Sequence, residues 1–343
     1  MDRPRHPGHN SSMDERFTTF VTGATGFLGS SVARALVARG HRVSALARRE
    51  TPRGVLDGVP VAFTPGDLTD PASLALGLAG CDAVIHCAAD YRIFVPDPGA
   101  MFAVNVAGTE AVMRAAMAAG VRRIVHVSSV ATLKPRADGS PATEADAATP
   151  AEAIGPYKTS KTEAERLVER MVLEEGLPAT IVNPSTPIGP RDRRPTPTGR
   201  LILEAARGNM PAYVETGLNL VHVEDCAAGV VAALEHGRLG QRHILGGQDV
   251  SLAELLGYIA ARYGRRPPFR LPRGPLFPLA FLAETAARVT GREPMLTLDG
   301  LRMAGHRMYF TAAHAEAVLG FHARPWREAV DDALGWFTEQ GML

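Results

Sequence analysis

Thr22-Gly23-Ala24-Thr25-Gly26-Phe27-Leu28-Gly29 stands between an apolar run, Phe17–Val21, and a stretch of helical character reaching about Arg39. Glycine at a strand-to-helix turn lets the backbone bend tightly, approach a diphosphate and pack the helix against its strand. The helix N-terminus then offers unpaired N–H groups and the positive end of its dipole to that anion. The spacing here is G-x-x-G-x-x-G rather than the commoner G-x-G-x-x-G. With a strand before it and a helix after it, the turn is read as a dinucleotide site formed by Gly23, Thr25, Gly26, Phe27, Leu28 and Gly29.

Outward from this turn, Arg42–Ala47, Val59–Phe63, Ala83–Cys87, Arg123–Val127 and Ala179–Val182 read as further strands. Leu74–Leu78, Met101–Ala119 and Tyr157–Glu175 read as helices between them. Strands alternating with helices predict parallel βαβ units and helices on both faces of one sheet. The expected fold is therefore α/β, a Rossmann-type doubly wound parallel sheet over residues 17–183. Five prolines within 184–197 then predict an ordered loop rather than a helix. A smaller, mostly helical C-terminal substrate lobe is expected from 184–220 and 249–325. Residues 221–248 are expected to pack back on the first domain, and 326–343 to form a C-terminal helix.

Composition narrows the functional classes. Of 343 residues, 45% are hydrophobic and 21% charged, an ordinary globular mix. There are 37 basic and 36 acidic residues, so no basic field favours nucleic acid, and no such partner is expected. Cys81, Cys87 and Cys226 lack ligand-like spacing, which predicts a reducing compartment, no disulfide framework and no metal site. Residues 1–16 are polar without an apolar signal segment and read as a disordered leader. Pro275–Ala283 is too short to span a membrane and reads as the start of a buried helix. A cytoplasmic protein without an integral membrane segment is expected.

Cofactor choice is read at the end of the second strand. A carboxylate there would bind the ribose 2′-OH of NAD. This chain carries Arg48-Arg49 instead, and a guanidinium can pair with a 2′-phosphate that a carboxylate would repel. NADP(H) is expected through Arg48, with NAD(H) as the alternative that the nearby Glu50 keeps open. Asp67, followed by Leu68, ends the third strand, where it can reach the adenine amine or serve as a plain helix cap. Ala88 and Ala89 end the fourth, where small residues let a cofactor pass close.

Tyr157-Lys158-Thr159-Ser160-Lys161 carries the chemistry. Tyr157 and Lys161, four apart, project from one helix face. A free phenol titrates near pH ~10. A neighbouring ammonium and an oxidised nicotinamide favour the phenolate, letting Tyr157 exchange a proton with a substrate oxygen while hydride moves. Ser129, or alternatively Ser128, closes the fifth strand at the carboxyl edge and is expected to orient the substrate carbonyl. Asn105, polar amid alanine and valine, is expected either to hold a relay water near Lys161 or to mark a capped or bent helix.

TGATGFLG, HVSSVATL, YKTSK and VHVEDCAAG resemble the extended short-chain dehydrogenases/reductases, especially dihydroflavonol-4-reductase-like enzymes and 3β-hydroxysteroid dehydrogenases. AADYRIFVPDP, VNPSTPIGPRDRRPTPTGR and MPAYVETGLNLVHVEDCAAG are most similar to a bacterial subgroup of hopanoid-associated sugar epimerases. The resemblance covers roughly residues 17–338. It implies Ser129, Tyr157 and Lys161 as catalytic triad, Gly23, Gly26 and Gly29 as phosphate turn, an asparagine at 105 and a substrate pocket between the lobes. It also implies a homodimer through the helices Met101–Ala119 and Tyr157–Glu175. Asn183 and Pro184 are taken as further cofactor contacts. True nucleotide-sugar epimerases usually carry the acidic NAD-selecting residue that this chain lacks.

The small-molecule substrate is expected against Asp90, Tyr91, Arg92, Ser129, Ser185, Arg191 and Tyr213. Arg191, leading Asp192-Arg193-Arg194, could clamp a phosphate or could belong to a solvated loop. Ile93, Phe94 and Val95 suit a lipid, terpenoid or polyketide-like substrate. The expected activity is NADP(H)-dependent reduction of a ketone or aldehyde. A sugar epimerase or dehydratase, and a non-catalytic NADP sensor, are the alternatives.

Overall fold

The computed structural model describes residues 16–343 apart from 96, 291–293 and 295, so the expected leader, Arg16 excepted, lies outside the described residues. The first half runs β1 (Thr18–Thr22), α1 (Phe27–Ala38), β2 (Arg42–Ala47), β3 (Val61–Pro65), α2 (Pro71–Leu78), β4 (Ala83–His86), α3 (Pro98–Phe102), α4 (Gly108–Ala118), β5 (Arg123–Val127), α5 (Gly155–Glu175) and β6 (Ala179–Pro184). Among the described residues the main sheet has the order β3-β2-β1-β4-β5-β6, with a seventh strand, β10 (Arg242–Leu245), beside β6. Every pairing in it is parallel.

The chain leaves β1 toward β2 and β3, then crosses back to β4 on the other side. Such a reversal opens a crevice at the carboxyl ends of β1 and β4, where open α/β sheets take their ligands. Burial on both faces explains the runs of apolar residues in these strands, as in β4 and β6, which are buried throughout. On one face α1 packs against α7 (Val223–His236) over Val21, Ile85, Val125 and Val182. On the other, α2, α4 and α5 cover Phe20, Val84, Ile124 and Ile181. Each such side chain contributes about 1.5–3 kcal/mol when fully buried.

One helix departs from expectation. Met101–Ala119 is not a single α-helix: a π-helical turn, Ala103–Ala107, separates α3 from α4 and contains the buried Asn105. A π-turn adds a residue to the helical repeat and often marks a functional site.

The second half is built on β7 (Thr186–Ile188), α6 (Pro197–Arg207), β8 (Ala212–Val214) and β9 (Gly217–His222) before α7, then β11 (Gln248–Ser251), α8 (Leu252–Arg262) and β12 (Phe269–Leu271) after β10. It ends with α9 (Phe277–Thr290), α10 (Leu298–Met303), β13 (Arg307–Met308), α11 (Ala313–Leu319) and α12 (Trp326–Glu339). β10 and α7 join the first domain, whereas β11 pairs antiparallel with β9. β7 and β13 pair parallel with β9, and β12 with β8. Helices supply most of the lobe, but they are organised round this small sheet, which its short strands did not announce. The proline-rich stretch contributes β7 as well as loop. α12 lays Trp326, Val330, Leu334 and Phe337 into the same core as α6 and α8.

The segment Pro275–Ala283 is not a buried helix start. α9 buries Ala280 and Ala287, while Leu279, Phe281 and Leu282 are exposed, because only the alanine side of the helix faces the lobe. No helix among the described residues is long and apolar enough to cross a membrane.

Candidate active site

The glycine turn has the shape a dinucleotide needs. Gly23 adopts φ +73°, and a Cβ there would stand 2.7 Å from the backbone nitrogen of Ala88 at the end of β4. A side chain at Gly29 would stand 2.0 Å from the carbonyl oxygen of Gly23. These two glycines therefore let strand, turn and helix close on one another. Gly26 caps α1 without a side-chain hydrogen bond, and no acidic residue occupies the first turn. The N–H groups of Phe27, Leu28 and Gly29 thus head a helix with no side-chain cap competing for them. This cradle, with Thr25 in the turn and Ala88 and Ala89 across it, fits a pyrophosphate.

Arg48 and Arg49 follow β2 and are exposed. Arg48 lies within the field of Asp67. Asp67 is a turn residue: its Oδ1 accepts from Thr69 N (3.1 Å) and Thr69 Oγ1 (2.9 Å), which holds its carboxyl below the usual range despite partial burial. The cap of α2 is Asp70, not Asp67. Leu68 packs its side chain toward Gly108 at the head of α4.

β5 ends in Ser128-Ser129. Ser129 Oγ accepts from Ala131 N (3.1 Å), capping the 3-10 turn Val130–Thr132, and lies near enough to the Tyr157 hydroxyl to influence its titration. Burial raises the Tyr157 phenol from its ordinary value and the Ser129 contact partly offsets it. Burial therefore favours the protonated phenol. Lys161, 3% exposed, donates from Nζ to the carbonyl of Val127 at 3.1 Å. Its pKa is lowered to about 8 by burial, opposed by Glu165 and Cys87. The Ser128 hydroxyl is buried without a partner among the described residues, as is that of Ser185 after β6.

Asn105 has its amide committed. Oδ1 accepts from Asp90 N (2.7 Å), and Nδ2 donates to Asp90 O (2.9 Å) and Ser160 Oγ (2.9 Å). It pins the loop after β4 to the start of α5, and the π-turn is what brings it there. Asn183 Nδ2 donates to Ser129 O (3.0 Å), Thr132 Oγ1 (3.1 Å) and the buried carboxylate of Glu165 (2.7 Å), beneath the serine, while its Oδ1 is buried without a partner among the described residues. Pro184 continues β6 behind it. Glu165, one turn past Lys161, and Thr132 were missed in the sequence; the i+4 spacing on the helix was the available signal.

The residues expected around the substrate divide. Asp90 takes Arg92 Nε on both carboxylate oxygens (3.0 and 3.1 Å), and Tyr91 between them is exposed. Arg191, at φ +74°, pairs with Glu224 of α7 at 2.7 Å and lies within the field of Arg34 of α1. Its guanidinium is thereby held on the α7 side by the Glu224 ion pair. Tyr213, on β8, packs against the lobe core.

The cavities beside this site begin at Tyr157. Ile93, Ile154, Gly155, Tyr157, Lys158, Asp299 and Met303 line a narrow cleft between α5 and α10. Next to it, sharing Ile154 and Lys158, a cavity of about 240 Å³ runs past Ala131, Leu133, Ala148 and His306.

Known proteins are similar to this chain over most of its length. The profile of the NAD dependent epimerase/dehydratase family matches residues 19–246. A putative dihydroflavonol 4-reductase of Synechocystis sp. is 38% identical over 94% of this chain and 95% of its own. Sterol demethylase protein B of Methylococcus capsulatus is 34% identical over 95% of this chain and 100% of its own. The crystal structure of gox2253, at 48% identity, superposes with a TM-score of 0.86 over 95% of this chain and 99% of that one. Full-length likeness to reductases and a family match over the whole dinucleotide-binding half identify an enzyme of NAD(P)-linked oxidoreduction or epimerisation. The chain belongs to the NAD dependent epimerase/dehydratase family, a group of extended short-chain dehydrogenases/reductases.

Proposed function

We propose that this enzyme is an NADP(H)-dependent reductase of a ketone or aldehyde on a largely apolar small molecule. The observation that carries the reading is the grouping of Ser129, Tyr157 and buried Lys161 at the carboxyl edge of β5. NADP(H), seated on the glycine turn, supplies the hydride. Ser129 positions the carbonyl oxygen, and Tyr157, kept protonated by burial, gives that oxygen its proton. Lys161 then supports the phenolate that remains. Exposed Arg48 at the end of β2 favours the 2′-phosphate. The apolar lining of the neighbouring cavity, and relatives named as a flavonol-type reductase and a sterol-processing protein, favour a lipid-like or polyketide-like substrate. Free Cys81, Cys87 and Cys226 suit a reducing compartment, and we place the enzyme in the cytoplasm, as a homodimer.

The competing reading is an epimerase or dehydratase that returns the hydride and retains its cofactor, as the family description allows. Stoichiometry separates the two. Protein purified largely free of nicotinamide, with deuterium from labelled NADPH appearing in product, is the expected result. Tightly held cofactor and interconversion of two sugar epimers without NADPH consumption would replace the reductase reading.

A further inference from the structure

Lys158 stands in an unusual position. It follows Tyr157 on α5, is 8% exposed, and lines both cavities beside the candidate site. An ammonium presents three donors and wants as many acceptors. The contact the structure gives it is the Met308 thioether, 3.7 Å away, a weak acceptor. Among the described residues no carboxylate lies within 4 Å of its Nζ. The two carboxylates bordering these cavities are already matched, Asp299 by Arg302 at 2.8 Å and Glu152 by Lys134 at 2.6 Å.

A long lysine side chain normally buries its stem and carries the charge out to water. Here α10 and β13, through Met303 and Met308, close over it instead. Burial alone holds the amine down to about 8, so it is still largely charged at neutral pH. A buried, largely unpaired cation is costly unless an anion arrives to meet it.

We propose that Lys158 binds a carboxylate carried by the substrate, close to the carbonyl that Tyr157 and Ser129 hold. Lys134, which also lines the larger cavity, is paired with Glu152, so among the described residues Lys158 is the cation left there to meet a single negative charge. A diphosphate would need more, and would lie beside Asp299 and Glu152. The surrounding Ala131, Leu133, Ala148, Ile154 and Met303, with the paired Lys134 and Glu152 and His306 at the border, favour a largely apolar remainder of the molecule. Ala131 belongs to the turn capped by Ser129 and Lys158 follows Tyr157 on α5, so the cavity borders the two elements that carry the reacting hydroxyls. The substrate class is thus an apolar keto acid or the matching hydroxy acid. This inference takes its reacting carbonyl from the reductase reading above, but the anion site can be tested apart from turnover.

The probes are 4-oxocyclohexanecarboxylate, its methyl ester and UDP, titrated calorimetrically into the full chain with NADP⁺ present. The wild type is expected to bind the acid at least about tenfold tighter than the ester, the ratio one desolvated ion pair can supply. In Lys158→Met, and in Lys158→Gln should the first variant misfold, that ratio should fall to about one. Lys158→Met should melt at or above the wild type, since it removes a buried cation. Equal binding of acid and ester, an unchanged ratio in the variants, tighter binding of UDP, or no binding of either ketone would each overturn the proposal. NADPH consumption with the acid is followed separately. Lys158-dependent binding without hydride transfer would leave the anion site standing and count against the reductase.

Discussion

Lys161 Nζ donates to the carbonyl oxygen of Val127 across 3.1 Å, fastening α5 to the last residue of β5. The next residue turns away: Ser128 N bonds Val182 O at 2.8 Å, and Ser129 then caps its own short turn. The bond therefore fixes where Tyr157, one helical turn earlier, stands relative to Ser129. On the proposed mechanism, the same lysine positions the proton donor and supports the phenolate it leaves.

That burial has a pH signature. Folding lowers the Lys161 pKa from 10.5 to about 8, so between these values the unfolded chain binds the extra proton. Stability from this group must then rise as pH rises through that window. Lys158 adds in the same direction, while the raised thiols of Cys87 and Cys226 oppose it above about pH 9. A difference measurement isolates the lysine. Relative to Lys161→Met, the wild type should gain on the order of 1–2 kcal/mol between pH 7.5 and 9.5 in urea unfolding of the apo-protein. A constant difference would show that Lys161 keeps its ordinary pKa.

Tyr157→Phe removes the hydroxyl that Ser129 contacts and little packing. NADP(H) affinity should change less than about threefold, while turnover falls at least ~10²–10⁴-fold, the range general acid catalysis supplies. Stopped-flow hydride transfer and fluorescence titration of NADPH check the two halves. Near-native turnover would remove Tyr157 from the chemistry.

The glycine turn and the tyrosine–lysine pair were legible because both are local. A turn with glycine spacing and an i, i+4 pair are complete within eight and five residues. A parallel sheet with helices on both faces followed from the alternation of strands and helices. Its strand order is set by pairings between segments far apart in the chain and was not read from the sequence. What stayed hidden depends on partners far along the chain. Asn183 meets Glu165 and Thr132, and Arg191 meets Glu224 33 residues on. The π-turn at Asn105 adds one residue to an alanine-rich helix; the isolated polar residue hinted at a bend there, but not at a π-turn. Lobe strands of two to six residues carry too few alternations for a periodicity to emerge.

Arg48→Asp tests cofactor choice. The substitution replaces a charge-assisted partner of the 2′-phosphate by a like charge, close to where Asp67 already stands. NADPH binding should weaken by at least ~2 kcal/mol, and NADH should be preferred or matched. Calorimetry with both dinucleotides decides it. Equal NADH and NADPH affinities in the unmutated protein would end the argument from Arg48.

The last prediction concerns the network under the serine. Asn183 Nδ2 lies near three acceptors, the closest being the fully buried Glu165 carboxylate at 2.7 Å. Glu165 also accepts from Arg166 at 2.6 Å and Thr132 at 2.9 Å, so its charge is met from three sides. Leucine is nearly isosteric with asparagine but cannot donate, and leaves a buried anion and the Ser129 carbonyl short of a partner. Breaking one contact of such a group costs more than the bond itself, because desolvation is no longer compensated. Asn183→Leu should therefore destabilise the fold by about 2–4 kcal/mol. Because Ser129 hangs from the same network, kcat should fall while the NADPH dissociation constant changes little. Asn183→Ser, which keeps a donor, should recover part of both. Loss of NADPH affinity with unchanged stability would instead place Asn183 at the cofactor, where the sequence first suggested it.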